Sequence, residues 1–289
     1  MSVQSWTIPE TTPAMTLEKY VLRTLPELPA WVVREAFSRR DVKMDGVRVP
    51  ASTMIRPGAL LQVYGIEKKT KAPLNVIYED NHILLINKPS NISVTDDGTG
   101  GTTVEDWALV HVRSVGENAF LPKACHRLDH KTSGLLLLAK TAAAEEILVK
   151  SFQERSMETH YVCLVKGNPN PQEKILKAYL IKDADAAKVK VFSHPVSGGL
   201  PIQTGYRVLQ GGNVSRLEVD LITGRTHQIR AHLAYIGHPV LGDDVYGDRA
   251  FNREQHAKRL MLCATHITLH GEGVLSYLDG KTFSIMPPF

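Results

Sequence analysis

The sequence predicts an α+β protein with a large mixed, mainly antiparallel β-sheet flanked by helices, preceded by a small helix-helix-hairpin module. After residue 74, short apolar strands and helices alternate without the regular βαβ rhythm of parallel α/β proteins. Before residue 66, two short helical patterns precede a strong hairpin signal. A charged segment ending in proline lies between these parts and is typical of a linker. We therefore expect a flexible tail (1–15), a small module (16–66), a linker (67–73) and a large domain (74–289).

Local signals define the elements of the small module. Thr16 can cap a first helix that has apolar residues at helical spacing: Leu17, Tyr20 and Val21. A second helix is predicted to begin at Pro29 and to bury four apolar residues: Val32, Val33, Ala36 and Phe37. Asp45-Gly46 lies between alternating apolar residues and predicts a tight hairpin, because both turn positions need positive φ. Residues 1–15 contain prolines and no apolar period, which favours a flexible tail.

The large domain shows strand and helix patterns in irregular order. Five apolar stretches predict strands: Val76 to Tyr78, Ile83 to Asn87, Leu135 to Ala139, Tyr161 to Val165, and Leu217 to Leu221. Thr102 and Glu105 form a possible capping box for a helix through Val112. Residues 141–155, rich in Ala and Glu, predict a further helix.

Composition limits the class of protein. The 289 residues suggest two domains, and 43% hydrophobic with 22% charged residues is ordinary for a soluble globular protein. The longest apolar run, Leu135 to Ala139, is far below the roughly 18 residues of a membrane span. The first residues lack a secretory signal pattern. Three widely spaced cysteines fit neither a disulfide framework nor a zinc knuckle, so we expect a reduced, cytoplasmic location.

The positive charge is concentrated near the start of the chain. The net charge is +4, and residues 16–71 hold eleven Lys/Arg against six Asp/Glu. Residues 72–289 hold equal numbers of basic and acidic side chains. This asymmetry predicts that the small module meets a polyanion.

The segment Cys125–Lys140 carries the strongest chemical signal. Charged and polar residues, including His126-Arg-Leu-Asp129, crowd immediately before a buried strand. A loop that feeds a rigid strand gives a catalytic group both exposure and fixed geometry. The segment closely resembles the signature of the RluA-type family of pseudouridine synthases, which modify large-subunit ribosomal RNA and transfer RNA.

Further stretches resemble the same family in its usual order. They are Tyr78–Pro89, Tyr161–Gly167, Leu221–Arg230, Gly237–Asp243 and Tyr246-Gly247. The small module resembles the S-four RNA-binding domain. Its candidate RNA contacts surround the second helix and the hairpin: Arg34, Arg39, Arg40, Lys43 and Arg48.

The resemblance implies roles for four residues of the large domain. Asp129 corresponds to the catalytic aspartate, which acts as a nucleophile at the anomeric carbon or as a base toward the ribose; the sequence leaves both open. Tyr161 corresponds to an active-site tyrosine that stacks on uracil. Arg225 stands where an arginine pairs with the aspartate. Arg127 corresponds to the residue that fills the gap left by a flipped nucleotide.

Other residues of the third motif have less specific expectations. We expect His227, Gln228 and Arg230 to be structural or to face phosphate. Three positions depart from the family pattern and put the substrate pocket in question: Asn91, Thr159 and Cys263.

The implied reaction is an isomerisation that needs no cofactor, nucleotide or metal. We expect the protein to act as a monomer on ribosomal RNA. Two alternatives within RNA biology stay open: transfer RNA as the substrate, and a non-catalytic RNA-binding or ribosome-assembly protein. A rival enzyme class, a metal-dependent phosphoesterase, would use some of five possible ligands: His126, Asp129, His130, His227 and His232.

Overall fold

The computed structural model describes residues 3–25, 28, 30–65, 74–96, 102–115, 120–183 and 188–289. The chain forms two compact units, Met1–Leu74 with Thr95–Pro122 and Asn75–Val94 with Lys123–Phe289. The predicted linker 67–73 and the predicted helix start at Pro29 lie outside the described residues. The predicted domain boundaries stay predictions, and the grouping of Thr95–Pro122 with the N-terminal residues was not anticipated.

The first unit combines three helices with a small sheet. Its elements are β1 (Val3–Thr7), α1 (Leu17–Thr24), α2 (Ala30–Ser38), β2 (Val42–Met44), β3 (Val47–Arg48), β4 (Leu60–Tyr64) and α3 (Val104–Val115). The sheet has the order β1-β4-β2-β3. Asp45 and Gly46 both have positive φ, so the predicted hairpin turn is confirmed. The apolar residues predicted on both helices are buried in this unit's core.

Two local expectations in this unit are wrong. Residues 3–7 of the predicted flexible tail form β1, which pairs antiparallel with β4, and Ile8 is fully buried behind it. The sequence could not show this because the pairing partner lies more than fifty residues away. The cap of α3 is Thr103, whose hydroxyl accepts from the Asp106 backbone N–H at 3.1 Å, one residue later than predicted.

The second unit contains the large sheet. Its strands are β5 (Val76–Glu79), β6 (Ile83–Lys88), β7 (Lys123–Ala124), β8 (Ser133–Ala139), β9 (Glu158–Lys166), β10 (Glu173–Asp183), β11 (Lys188–Phe192), β12 (Leu200–Gln210), β13 (Val214–Asp220), β14 (Leu262–Thr268) and β15 (Thr282–Ser284). Its helices are α4 (Ala142–Glu154), α5 (Gln228–Tyr235) and α6 (Arg249–Glu254), with a short 3-10 helix over Gly273–Leu278. The five predicted strands and the helix after Thr141 are confirmed.

The sheet is mixed and mainly antiparallel, as predicted. Its order is β11-β10-β12-β13-β9-β14-β8-β6-β5, with β15 beside β14 and β7 beside β8. Among the described strands, β8 and β14 form the parallel pair. Every residue of β8 is buried, so this strand is covered on both faces.

A close approach between β8 and β14 fixes the backbone at the start of β8. Gly134 has φ +117°, and a Cβ there would lie 2.2 Å from the carbonyl oxygen of Ala264. Only glycine permits both the backbone conformation and this contact. The loop that carries Asp129 therefore joins the centre of a rigid sheet.

Among the described residues, no helix is long and apolar enough to cross a membrane.

Candidate active site

A cavity of about 630 Å³ opens in the second unit, within the range of small-ligand sites. Four parts of the chain line it: the loop before β8, the end of α4 with the start of β9, residues 221–230 around the start of α5, and Leu262 of β14. The first segment includes Arg127 and Asp129, and the second includes Tyr161. The sheet thus brings together segments that lie far apart in the chain.

The Asp129 loop is held by a buried ammonium group. Lys88 has no solvent exposure, and its Nζ donates to the carbonyl oxygens of Ile92 (2.8 Å), Pro89 (3.1 Å) and His130 (3.2 Å). Burial lowers the pKa of Lys88 to about 8, although the charge of Asp129 opposes this shift. The contacts tie the loop to the end of β6 and so fix the position of the Asp129 carboxylate.

Asn91, one of the three departures from the family pattern, has a backbone conformation that suits its residue type. Its φ is 65°, in the left-handed region that asparagine tolerates better than most residues. Its backbone N–H donates to the His130 carbonyl at 2.9 Å, and the neighbouring Ser90 hydroxyl donates to the Lys131 carbonyl at 2.7 Å. The departure in sequence therefore preserves the support of the Asp129 loop.

Arg230 is the guanidinium that pairs with Asp129. Its Nη1 lies 3.3 Å from Asp129 Oδ2, and its Nε and Nη2 donate to Asp243 at 2.7 and 3.0 Å. Arg230 is 3% exposed and Asp243 is fully buried. Burial disfavours the charged guanidinium, but the bonds to Asp243 and the charge of Asp129 outweigh it and raise the pKa of Arg230. The floor of the cavity is thus a fixed cation between two carboxylates.

The predicted pairing of Arg225 with Asp129 is wrong. Arg225 is exposed at the cavity mouth, and within the described part of the chain its guanidinium makes no ion pair. The reason is helix register: α5 begins at Gln228, so Arg230 lies on its buried first turn, whereas Arg225 lies on the exposed turn before it. The flanking Ile229 and Ala231 favour a buried position for Arg230, but they do not identify its partner.

Tyr161 lies at the cavity wall as predicted, in the fourth position of β9. It is 6% exposed. Burial raises its pKa well above the ordinary value, and the nearby charge of Asp129 acts in the same direction. The side chain is therefore a neutral phenol at neutral pH, able to stack and to donate a hydrogen bond.

The two other departures from the family pattern lie on this side of the cavity. Thr159 lines the wall two residues before Tyr161. Cys263 is fully buried in β14, and burial raises the pKa of its thiol, while the neighbouring Leu262 lines the cavity. Asp129 and Tyr161 keep their places despite these changes.

Three arginines form a basic rim around the cavity mouth: Arg127, Arg155 and Arg225. All three are exposed, and in the described ranges none of them forms an ion pair with a carboxylate. Sequence reasoning missed Arg155, which follows α4 with φ 59°. The sequence signal for Arg155 was its place at the end of a predicted helix. A basic residue there is usually explained by its favourable interaction with the helix dipole alone.

The candidate RNA-binding side chains of the first unit differ in whether their charge is already engaged within the protein. Arg34 pairs with Glu18 at 2.9 Å, and Arg39 pairs with Glu35 at 3.1 Å. Lys43 lies over the ring of Tyr64 at 4.9 Å from its centroid. Arg40 and Arg48 are exposed and, among the described residues, form no ion pair.

The ligand set of the rival metal enzyme is engaged in other contacts. His126 Nε2 accepts from the Leu137 backbone N–H at 3.1 Å. His232 Nδ1 lies 3.0 Å from the Thr204 hydroxyl, and His130 Nδ1 lies 3.0 Å from the Ser93 hydroxyl. No cluster of three metal-binding side chains occurs in the part of the chain that the structure describes.

A cavity with a fixed carboxylate at its floor and cations around its mouth is typical of an enzyme that acts on a polyanionic nucleic acid. The family described as RNA pseudouridylate synthase matches residues 82–235, more than half of the chain. The chain belongs to this family, and the predicted enzyme class, an isomerase that acts on RNA, is confirmed.

Individual relatives agree with this membership. The chain is 30% identical over 285 residues to the ribosomal large subunit pseudouridine synthase C of Vibrio cholerae, covering 92% of this chain and 88% of the relative. It is 34% identical over 229 residues to synthase D of Pasteurella multocida, covering 76% and 68%. The structure of human RNA pseudouridylate synthase domain containing 1 aligns with a TM-score of 0.57 at 25% identity, covering 75% of this chain and 90% of the human chain.

Proposed function

We propose that this protein converts uridine to pseudouridine in large-subunit ribosomal RNA, with Asp129 as its catalytic carboxylate. The reaction breaks the bond from C1′ to N1 of uracil, rotates the base, and forms a bond from C1′ to C5. The proton lost from C5 balances the one gained at N1, so no oxidant or reductant is needed. The names of the relatives from Vibrio cholerae and Pasteurella multocida support the choice of RNA.

The observation that carries the proposal is the carboxylate of Asp129 at the floor of a nucleotide-sized cavity. Its side chain is 23% exposed, so a bound nucleotide can reach it, and Arg230 Nη1 fixes its Oδ2 at 3.3 Å. An ionised carboxylate can attack C1′ or remove a proton from the ribose, and both mechanisms use the same geometry.

Tyr161 and Arg127 complete the proposed nucleotide site. The neutral phenol of Tyr161 can stack on the uracil as it rotates. Arg127 is planar, cationic and exposed at the mouth, so it can occupy the space that a flipped nucleotide leaves.

The arginine rim supports RNA as the partner. Exposed guanidiniums without carboxylate partners are suited to phosphate, which they bind in a forked geometry. We therefore assign Arg225, together with Arg155, to contacts with the RNA backbone on either side of the target nucleotide.

We also propose that residues 16–66, within the first unit, form an S-four-like RNA-binding module. Two helices followed by a hairpin, with Arg40, Lys43 and Arg48 around them, support this assignment. Arg34 and Arg39 stay candidate contacts, but their ion pairs reduce the charge they offer. We also propose a monomer in the cytoplasm, a reducing compartment that suits three buried cysteines not joined by disulfides.

The test is to incubate the purified protein with transcribed large-subunit ribosomal RNA and, separately, with transfer RNA, and to map pseudouridine by mass spectrometry. We expect product in the ribosomal RNA and none with the Asp129→Asn variant. Product in transfer RNA alone would replace the proposed substrate. RNA binding without product in either RNA would favour the non-catalytic alternative.

The module is tested by changing Arg40, Lys43 and Arg48 together to Gln. Each phosphate interaction that the change removes should reduce the slope of log affinity against log salt by about 0.7 to 0.9. Turnover at saturating RNA should persist. An unchanged salt slope would show that these side chains do not meet phosphate.

A further inference from the structure

His227 lies beside Asp129 in a backbone conformation that its residue type rarely adopts. It precedes α5 with φ 54° and ψ 17°, in the left-handed region, and its side chain makes no capping hydrogen bond to the helix. Such a conformation is unfavourable for a residue other than glycine and persists where the surroundings require it. Here it directs the imidazole between Asp129 and Tyr246.

The Tyr246 hydroxyl lies beside the Nδ1 nitrogen of His227. The Tyr246 hydroxyl accepts from the Val189 backbone N–H at 2.9 Å and lies 3.0 Å from His227 Nδ1. A phenol has one proton to donate. Among the described residues, His227 Nδ1 is the acceptor within reach of that proton, and accepting it would place the proton of the neutral ring on Nε2.

Burial favours the neutral form of this imidazole, against the charges of the carboxylates that face it. Burial lowers the pKa of His227; the charge of Asp129 opposes this, Arg230 lowers the pKa further, and Asp243 and Asp244 raise it. The net direction is downward. At neutral pH the ring therefore presents an N–H dipole, and not a full positive charge, to the cavity floor.

The Nε2 nitrogen lies near the same carboxylate oxygen that Arg230 binds. Nε2 lies 4.0 Å from Asp129 Oδ2, and Arg230 Nη1 lies 3.3 Å from it. Within the described residues, the other oxygen, Oδ1, has no hydrogen-bond donor. A distance of 4.0 Å exceeds a hydrogen bond, but catalytic contacts often shorten when the substrate binds and water leaves.

We propose that His227 is a positioning residue for Asp129: its Nε2–H, set by Tyr246, and Arg230 together hold Oδ2, which leaves Oδ1 for the target nucleotide. This inference rests on the proposed function. It assigns Oδ1 of Asp129 as the reacting oxygen. It also gives Tyr246 an indirect role, because Tyr246 acts on Asp129 through His227.

A matched pair of variants tests the donor. His227→Gln keeps an N–H near the Nε2 position, whereas His227→Met has a similar length and no donor. Both side chains are unbranched, so the backbone cost at φ 54° should be similar. We expect His227→Met to lose about 10²-fold in turnover at saturating RNA with unchanged RNA affinity, and His227→Gln to recover most of that loss. Equal losses in the two variants would overturn the proposal.

A second measurement does not depend on activity. Nitrogen-15 spectra of histidine-labelled protein distinguish the two neutral tautomers, and His227→Gln identifies the His227 signals. We expect the proton on Nε2 in the wild type and a mixture of tautomers in Tyr246→Phe. A proton on Nδ1 in the wild type would overturn the proposal. If no RNA is modified, the proposed function fails, and the tautomer measurement still decides whether Tyr246 sets His227.

Discussion

The floor and the rim of the cavity use arginine in opposite ways. On the floor, Arg230 is 3% exposed and bonded to two carboxylates. On the rim, three arginines are exposed and, as far as the structure describes the chain, free of carboxylates: Arg127, Arg155 and Arg225. A buried cation is fixed in place and can orient a reacting group, while exposed cations adapt to a mobile polyanion. The floor is therefore suited to catalysis and the rim to RNA binding.

The largest effect is expected from the floor carboxylate. Asp129→Asn should reduce pseudouridine formation by about 10³-fold or more, because losing an essential base or nucleophile costs several kcal/mol of barrier. RNA affinity and the melting temperature should change little. Single-turnover assays with excess enzyme measure the first effect, and a residual rate within about tenfold of the wild type would remove Asp129 from the mechanism.

The next prediction compares one arginine from each region with the same replacement. Arg230→Lys keeps the charge that Asp243 requires but loses the fork that also reaches Asp129. Turnover at saturating RNA should fall by about 10²-fold, in the range expected when a preorganised donor is removed. Arg225→Lys is the matched control and should leave saturated turnover almost unchanged.

One outcome of these two variants would contradict the distinction between floor and rim. If Arg225→Lys lowers saturated turnover as strongly as Arg230→Lys, the rim takes part in catalysis and the distinction between the two regions is wrong. Circular dichroism melts of both variants check that Asp243 has not been left with an uncompensated charge.

A smaller effect is expected from the rim. Arg155→Gln and Arg225→Gln together should weaken RNA binding and reduce the salt slope by about 0.7 to 0.9 for each phosphate that is no longer neutralised. Filter binding between low and physiological salt measures both quantities. Weaker binding with an unchanged salt slope would mean that these arginines contact bases or protein and not phosphate.

The smallest effect is expected from the contacts that anchor α5 behind the cavity floor. The Thr204 hydroxyl accepts from Gln228 Nε2 at 3.0 Å and lies 3.0 Å from His232 Nδ1, which anchors α5 to β12. Burial lowers the pKa of His232 to about 4, from an ordinary 6.5. Between these values the unfolded chain binds more protons than the folded chain, so stability is lost as pH falls from 6.5 toward 4.

The His232→Asn variant isolates this contribution, because Asn can retain the contact with Thr204 but does not titrate. Its free energy of unfolding should decline less between pH 6.5 and 4 than that of the wild type, by at most about 3 kcal/mol. Urea unfolding across this range gives the difference. Parallel pH profiles would mean that His232 is not held neutral.

Much of the fold was predictable because its signals are local. Asp45-Gly46 requires a hairpin, Thr141 caps α4, and the leucines of β8 require burial on both faces. The failures involved partners distant in sequence. Residues 3–7 had no strand signal of their own and are ordered by pairing with β4.

For the candidate site, the sequence by itself determined the residue types and their order: Asp129 before a buried strand, Tyr161 in the next, and two arginines around the start of α5. Only the tertiary structure decided which arginine meets Asp129. Arg225 and Arg230 are five residues apart, but Asp129 is about a hundred residues away, and the contact depends on where α5 begins and which face the sheet buries. An ion pair between distant segments is set by the packing of whole elements, which no local pattern specifies.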